Sequence, residues 1–129
     1  MKKILITGGA GYIGSMVATK LINLGYQVTI IDLLKYSSTS LNHLHHFKNF
    51  RFIKADIRNK KIMKKLISKN EYILPFAGLV GAPLCKKYKK DAISVNYQAV
   101  KDCVNLCNKE HKLIFLMSNS GYGVGKKDA

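Results

Sequence analysis

The chain has 129 residues, of which 47% are hydrophobic, so it can bury one core but has no room for a second full domain. Its formal net charge is +15, yet only two of its 22 basic residues are arginine, which does not favour a dedicated nucleic-acid site. No apolar run approaches the length of a membrane span, which argues against a membrane protein.

Predicted strands and helices alternate along the chain, a pattern typical of a parallel sheet with helices on both faces. The predicted strands cover residues 2–7, 27–31, 51–54, 72–76 and 112–117. The predicted helices cover residues 12–24, 59–68 and 91–109, and residues 33–49 are expected to form a loop or a short helix. With right-handed crossovers, the expected strand order is 3-2-1-4-5.

The helix predicted over residues 91–109 has an unusually wide apolar surface. One stripe contains Ala92, Val95, Ala99, Cys103 and Leu106, and a second contains Ile93, Tyr97, Val100, Val104 and Cys107. Packing on one face of a sheet uses a single stripe. The second stripe therefore predicts contact with a partner subunit, which would make the protein a homodimer.

A glycine-rich turn lies between the first predicted strand and the first predicted helix. Gly8 and Gly11 permit backbone conformations or close approaches that a β-carbon would block, and Gly14 allows the helix to pack tightly on the strand. N–H groups at the helix start, around Tyr12 and Ile13, would face a pyrophosphate favoured by the helix dipole. This turn predicts a dinucleotide site in a doubly wound sheet of Rossmann type.

Asp32, at the end of the second strand, stands 18 residues after Gly14. A carboxylate there can accept hydrogen bonds from the adenosine ribose and would repel a 2′-phosphate, so the predicted cofactor is NAD rather than NADP. The alternative is a structural glycine turn with Asp32 as an ordinary cap.

The other strand ends supply further candidates, because ligands gather at the carboxyl ends of parallel strands. Asp56 and Ile57 could pair with adenine, although Asp after a strand is also a common helix cap. The small segment Phe76-Ala77-Gly78 could lie against the cofactor, and the Ser118 hydroxyl follows the fifth strand near the expected nicotinamide.

The cysteines and histidines favour no metal or disulfide. The chain has an odd number of cysteines, which are Cys85, Cys103 and Cys107, and they form no C-x-x-C motif. This pattern favours a reduced, cytoplasmic protein. The histidines at 43, 45 and 46 lack a nearby carboxylate or cysteine, and we interpret them as a solvated run.

Taken together, these motifs resemble the extended short-chain dehydrogenase/reductases, and within them the NAD-dependent epimerase/dehydratase group. The likeness covers the whole chain and includes Asn96 and the run from Ser118 to Gly123. It implies that the glycine turn with Tyr12 and Ile13 cradles the pyrophosphate. It also implies that Asn96 shapes the site, that Ser118 is catalytic and hydrogen-bonds the reacting sugar hydroxyl, and that the substrate is a sugar nucleotide.

Two departures limit what the resemblance implies. Val80 stands where the 4-epimerases of this group have lysine, and the family's Tyr-x-x-x-Lys pair has only a formal counterpart in Tyr122 and Lys126, whose glycine-rich spacing disfavours a helix. We interpret that match as accidental. Residues 1–129 are therefore expected to be the cofactor-binding domain, truncated before the substrate lobe and inactive alone.

Other interpretations remain open. The chain could be a naturally short, non-catalytic dinucleotide-binding module, for which the reading frame would end near Ala129. A basic nucleic-acid-binding protein would show steep salt-dependent binding but lacks an aromatic-basic patch. A methyltransferase also uses an acidic residue after its second strand, but the glycine spacing argues against it.

Overall fold

A computed structural model of the chain describes residues 1–118 and contains one five-stranded parallel sheet. Its strands are β1 (Lys3–Thr7), β2 (Gln27–Asp32), β3 (Phe50–Lys54), β4 (Tyr72–Pro75) and β5 (Lys112–Leu113). Their order is β3-β2-β1-β4-β5, which confirms the predicted Rossmann-type topology. Because β1 lies at the centre, the turn that follows it opens in the middle of the carboxyl edge of the sheet.

The helices of residues 1–118 lie between successive strands in the chain. They are α1 (Tyr12–Asn23), α2 (Lys60–Ile67), α3 (Ala82–Lys87), α4 (Lys89–Ile93) and α5 (Ala99–Leu106). A 3₁₀ turn covers Asn42–Leu44, and a π-helical turn over Ser94–Gln98 joins α4 to α5. In this part of the chain, no helix is both long enough and apolar enough to cross a membrane.

The central strand β1 supplies side chains to two separate cores. Ile4 and Ile6 belong to the core that includes residues of α1, whereas Leu5 belongs to the core that includes residues of α2 and α5. This division follows from the two-residue period of a strand, which sends successive side chains to opposite faces. Both faces of the sheet are thus covered, as parallel sheets require.

Helix α1 packs through a narrower face than the sequence predicted. Its buried residues are Gly14, Ala18 and Ile22, four residues apart, whereas Ile13 and Leu24 are largely exposed. The apolar spacing of the sequence predicts one side of this helix that contains Ile13, Val17, Leu21 and Leu24. Val17 and Leu21 do pack against the core, but Ile13 and Leu24 do not, because the small residues Gly14 and Ala18 make the close contact with the sheet.

The predicted helix over residues 91–109 differs from the observed structure at both ends. Helical structure begins earlier, in α3 and α4, and ends at Leu106. Helix α3, which was not predicted, begins after Gly81 and carries Pro83 in its first turn, where proline is favoured. The π-helical turn was also not predicted, and such turns are frequent at functional sites.

The two apolar stripes of this helical segment have different surroundings. In the first stripe, Ala99 and Cys103 are buried, and burial raises the pKa of the Cys103 thiol to about 12, so the thiol remains protonated. In the second, Ile93, Tyr97 and Val104 are each at least half exposed. The second stripe thus faces outward, and the homodimer stays a prediction.

Strand β5 is shorter than predicted. Only Lys112 and Leu113 pair with β4, although the Ile114 N–H also donates to the Ile73 carbonyl at 3.0 Å. The apolar residues that follow, 114–117, are about half exposed or more. The sequence pattern predicted a longer strand because these residues have the composition of a buried strand, yet no described neighbour covers them.

Replacing Ile73, which is fully buried in β4, by alanine is expected to lower the free energy of unfolding by about 2–5 kcal/mol, because it opens a cavity in the core. The matched control is Ile93→Ala on the exposed stripe, for which we expect a change below about 0.5 kcal/mol at low protein concentration. Urea denaturation followed by circular dichroism measures both. Equal losses of unfolding free energy in Ile73→Ala and Ile93→Ala would contradict the described packing of β4.

Candidate functional site

A cleft of about 500 Å³ opens at the carboxyl edge of the sheet, a volume in the range of small-molecule sites. Segments that follow β1, β2, β3 and β4 line it together with part of the α4–α5 segment. The candidate residues that line it are Gly8, Gly11, Tyr12, Ile13, Gly14, Asp32, Asp56, Ile57, Phe76, Ala77 and Gly78. The fold therefore brings together eleven candidates from four strand ends.

At Gly8, Gly9 and Gly14 the glycine turn is so tightly packed that a side chain does not fit. Gly8 has φ +67°, and a β-carbon there would lie 2.5 Å from the Ala77 Cα. A β-carbon at Gly14 would lie 2.5 Å from the Gly8 carbonyl oxygen, and one at Gly9 would lie 2.6 Å from the Ile30 side chain. The turn is thus pressed against β4 on one side and against α1 on the other. Gly9 was not singled out from the sequence.

The first N–H groups of α1 open into the cleft without a side-chain cap. Gly11 is the N-cap residue and has no side chain to accept a hydrogen bond, and its own N–H donates to the Gly8 carbonyl at 3.1 Å. The N–H groups of Tyr12 and Ile13 have no acceptor within the helix, because the first four N–H groups of any helix lack one. Both residues line the cleft, and uncapped N–H groups at a helix start are a geometry that suits an anion.

Asp32 fastens the glycine turn to the end of β2. Its Oδ2 accepts the Ala10 N–H at 3.0 Å, and its Oδ1 accepts the Leu34 N–H at 2.7 Å. Leu34 itself adopts φ +57°, a conformation that costs energy in a non-glycine residue and that this hydrogen bond helps to hold. Ser40 donates to the Ala10 carbonyl at 2.8 Å and secures the turn from the other side.

Asp56 is engaged by Arg58 at the rim of the cleft. The Arg58 backbone N–H, Nε and Nη2 all contact the Asp56 carboxylate, at 2.6–3.0 Å. The guanidinium lowers the pKa of Asp56 below its usual value, and the hydrogen-bonded Asp56 carboxylate raises the pKa of Arg58. Through Nη1, Arg58 also contacts Asp91 Oδ1 at 3.0 Å and Ser94 Oγ at 3.1 Å.

The wall formed after β4 is held by two side chains. The Thr7 hydroxyl accepts the Ala77 N–H at 3.2 Å. Asn96, which lies in the π-helical turn, accepts the Leu79 N–H through Oδ1 at 2.8 Å and donates from Nδ2 to the Leu79 carbonyl at 2.9 Å. Leu79 lines the cleft, so Asn96 acts on the cleft by fixing its wall.

Ser118 lies two residues after Leu116, which lines the cleft, and Ser118 is exposed. Its catalytic role stays a prediction. Tyr122 and Lys126, together with the rest of the motif that begins at Ser118, lie outside the described residues.

The histidine cluster makes local contacts. His43 Nε2 lies 2.8 Å from Thr19 Oγ1, and the rings of His45 and His46 lie against those of Phe50 and Phe47. Within residues 1–118, no group of three metal-binding side chains is close enough to hold an ion.

Sequence reasoning missed Thr7, Ser40 and Arg58. Thr7 and Ser40 carry no local signal, because their partners are 70 and 30 residues away along the chain. Arg58 did carry a local signal, because an arginine two residues after an aspartate can reach back to its carboxylate. Its second contact, with Asp91, required the fold.

The chain is similar in sequence to proteins of a known family. The sequence model of the NAD-dependent epimerase/dehydratase family matches residues 4–129. A UDP-N-acetyl-alpha-D-glucosaminuronate decarboxylase of Bacillus cytotoxicus is 30% identical over 96% of this chain and 39% of its own length. A UDP-glucose 4-epimerase of Neisseria meningitidis serogroup C is 32% identical over 95% of this chain and 38% of its own length.

Among solved structures, the UDP-glucose 4-epimerase of Stenotrophomonas maltophila with bound NAD and formylated UDP-arabinopyranose is similar, with a TM-score of 0.82. It is 27% identical, and the match covers 95% of this chain and 39% of that one. The chain therefore spans about two fifths of the length of the relatives it matches.

Gly14→Ala is expected to lower the free energy of unfolding by about 1–3 kcal/mol, because its β-carbon would overlap the Gly8 carbonyl and part of Gly9. Gly11→Ala is the matched control, since a β-carbon there meets a single atom at 3.2 Å. We expect it to cost about 1 kcal/mol or less, the usual effect of alanine at an N-cap. Thermal and urea unfolding give both values, and an equally stable Gly14→Ala protein would contradict the described packing.

Removal of the Asp56 carboxylate should lower the free energy of unfolding by an amount that depends on pH. The folded-state pKa of Asp56 is lowered by Arg58, so its stabilisation is present above the ordinary aspartate range and is lost as pH falls through the folded value. Asp56→Asn should therefore be less stable than the parent at pH 7, by up to about 1 kcal/mol for so exposed a pair, and this difference should be smaller at pH 3. Urea midpoints at the two pH values test the sign.

Proposed function

Because the chain belongs to the NAD-dependent epimerase/dehydratase family, we propose that its cleft holds NAD for an enzyme that epimerises or dehydrates a sugar nucleotide. The observation that carries this proposal is the uncapped start of α1 at a turn where Gly8 and Gly14 admit no side chain. Peptide N–H groups there can approach a diphosphate closely, and the helix dipole favours its charge.

The residues of the cleft fit the cofactor along its length. The N–H groups of Tyr12 and Ile13 would hold the pyrophosphate. Asp32 uses one hydrogen bond on each carboxylate oxygen for the fold, and a carboxylate has about four acceptor positions, so two remain for the adenosine ribose hydroxyls. The small residues Ala77 and Gly78 leave room for the central part of the cofactor along the wall.

The chemistry that NAD supplies when bound is transient acceptance of a hydride from a sugar carbon. Ser118 is proposed to hydrogen-bond the reacting hydroxyl, whose proton passes to a base. Leu116 lines the cleft two residues before it, which supports this placement. Since the chain matches about two fifths of the length of its relatives, the activity that we propose for the described residues is cofactor binding.

The partner and location proposals rest on separate observations. The exposed second stripe, with Ile93, Tyr97 and Val104, supports self-association through the helical segment. The thiols of Cys85, Cys103 and Cys107 are free, which supports a reducing, cytoplasmic location.

Isothermal titration of the chain should show binding of NAD and of ADP-ribose, because the contacts that we assign lie on the adenosine and pyrophosphate half. NADP should bind at least about tenfold more weakly, since its 2′-phosphate would meet the charge of Asp32. Absence of heat for NAD and ADP-ribose at millimolar ligand would contradict the proposal, and equal affinity for NADP would contradict the role of Asp32.

Gly11→Ser separates binding from folding. A serine N-cap is favourable for a helix, but its hydroxyl accepts an N–H of the second or third helical residue, and the second is Ile13, one of the two N–H groups that we assign to the pyrophosphate. We expect unfolding free energy to change by less than about 1 kcal/mol while NAD affinity falls by about tenfold or more. The matched control is Gly25→Asn at the other end of α1, where φ is +84° and the surroundings are open, and it should bind NAD normally. Unchanged affinity in Gly11→Ser would show that the phosphate lies elsewhere.

A further inference from the structure

Arg58 is the hub of a polar bridge between the loop after β3 and the segment that contains α4. Its Nε and Nη2 hold the Asp56 carboxylate, and its Nη1 contacts both Asp91 and Ser94. The Ser94 hydroxyl donates to the Asp91 carbonyl at 3.0 Å, so its oxygen lone pairs remain available to accept from Arg58. All nitrogens of this guanidinium therefore have defined acceptors.

The bridge fixes the direction of the Asp56 carboxylate at the edge of the cleft. A planar guanidinium that contacts both oxygens of a carboxylate sets its plane, which a lysine ammonium cannot do. Three Arg58 N–H groups use about three of the four acceptor positions of the carboxylate, which leaves about one on Oδ2. Both residues line the cleft, and the Asp56 side chain remains 30% exposed there.

We propose that Arg58 is a positioning residue that gives the cleft its selectivity for adenine over hypoxanthine, by aiming one acceptor of Asp56 at the base. The inference rests on the proposed NAD site. Adenine has an amino group at the position where hypoxanthine has a carbonyl oxygen. A fixed carboxylate acceptor favours the first as a donor and repels the second, whereas a carboxylate free to rotate discriminates less.

The same helical segment also fixes the opposite wall. Ser94 begins the π-helical turn, and Asn96 in that turn holds Leu79 by two hydrogen bonds. The stretch that contains Ser94 and Asn96 therefore positions both the end of the cleft proposed for the adenine base and the wall after β4. A variant that only loosened this stretch would weaken binding of every dinucleotide alike, whereas loss of positioning would change the ratio between two bases.

The test compares affinities for NAD and for nicotinamide hypoxanthine dinucleotide by calorimetry, in the parent chain and in Arg58→Gln, Arg58→Lys and Lys60→Gln. Lys60→Gln is the matched control, because Lys60 forms an ion pair with Asp102 at 3.0 Å between α2 and α5. Thermal unfolding of each variant confirms that it is folded at the titration temperature.

We expect the parent and Lys60→Gln to bind NAD about tenfold more tightly than nicotinamide hypoxanthine dinucleotide. In both Arg58 variants we expect this affinity ratio to be about threefold or less. Arg58→Lys keeps the charge and loses the planar contact, so full selectivity in that variant would overturn the proposal. An unchanged ratio of the two affinities in Arg58→Gln would also overturn the proposal, as would a parent that binds both dinucleotides equally. In each of those cases NAD still binds and the proposed function stands, whereas a parent that binds neither dinucleotide overturns both.

Discussion

The structure depends on the contact between the glycine turn and its surroundings at the end of β1. At Gly8 the backbone of β4 approaches so closely that a β-carbon would overlap Ala77, and at Gly14 the start of α1 lies against the carbonyl of Gly8. These contacts place the start of α1 at the centre of the sheet edge. The segments after the other strands then complete a cleft in which the position of the α1 start is already fixed.

The two carboxylates of the cleft, Asp32 and Asp56, hold the fold through hydrogen bonds and are also the groups that we propose for the ligand. Asp32 accepts two backbone N–H groups that hold the turn, and Asp56 accepts three N–H groups of Arg58, yet each keeps acceptor capacity. A carboxylate held by hydrogen bonds loses little freedom when a ligand arrives. Pre-organisation of this kind reduces the entropic cost of binding.

Local patterns predicted the parts of the molecule that depend on local geometry. The glycine spacing and Asp32 identified the turn, and the alternation of strands and helices with right-handed crossovers predicted the strand order. The misses arose from long-range packing. Nothing in the local sequence marked the π-helical turn, and the exposure of Ile13 followed from how closely Gly14 and Ala18 approach the sheet. The partners of Thr7 and Arg58 likewise depend on the fold.

The brevity of β5 has a consequence for the behaviour of the polypeptide in solution. Two residues pair with β4, and the apolar residues 114–117 that follow are each about half exposed or more. A half-exposed apolar segment beside the edge of a sheet favours adhesion between molecules. The high positive charge opposes such adhesion by mutual repulsion, so colloidal stability should be greatest at low ionic strength, where that repulsion is least screened.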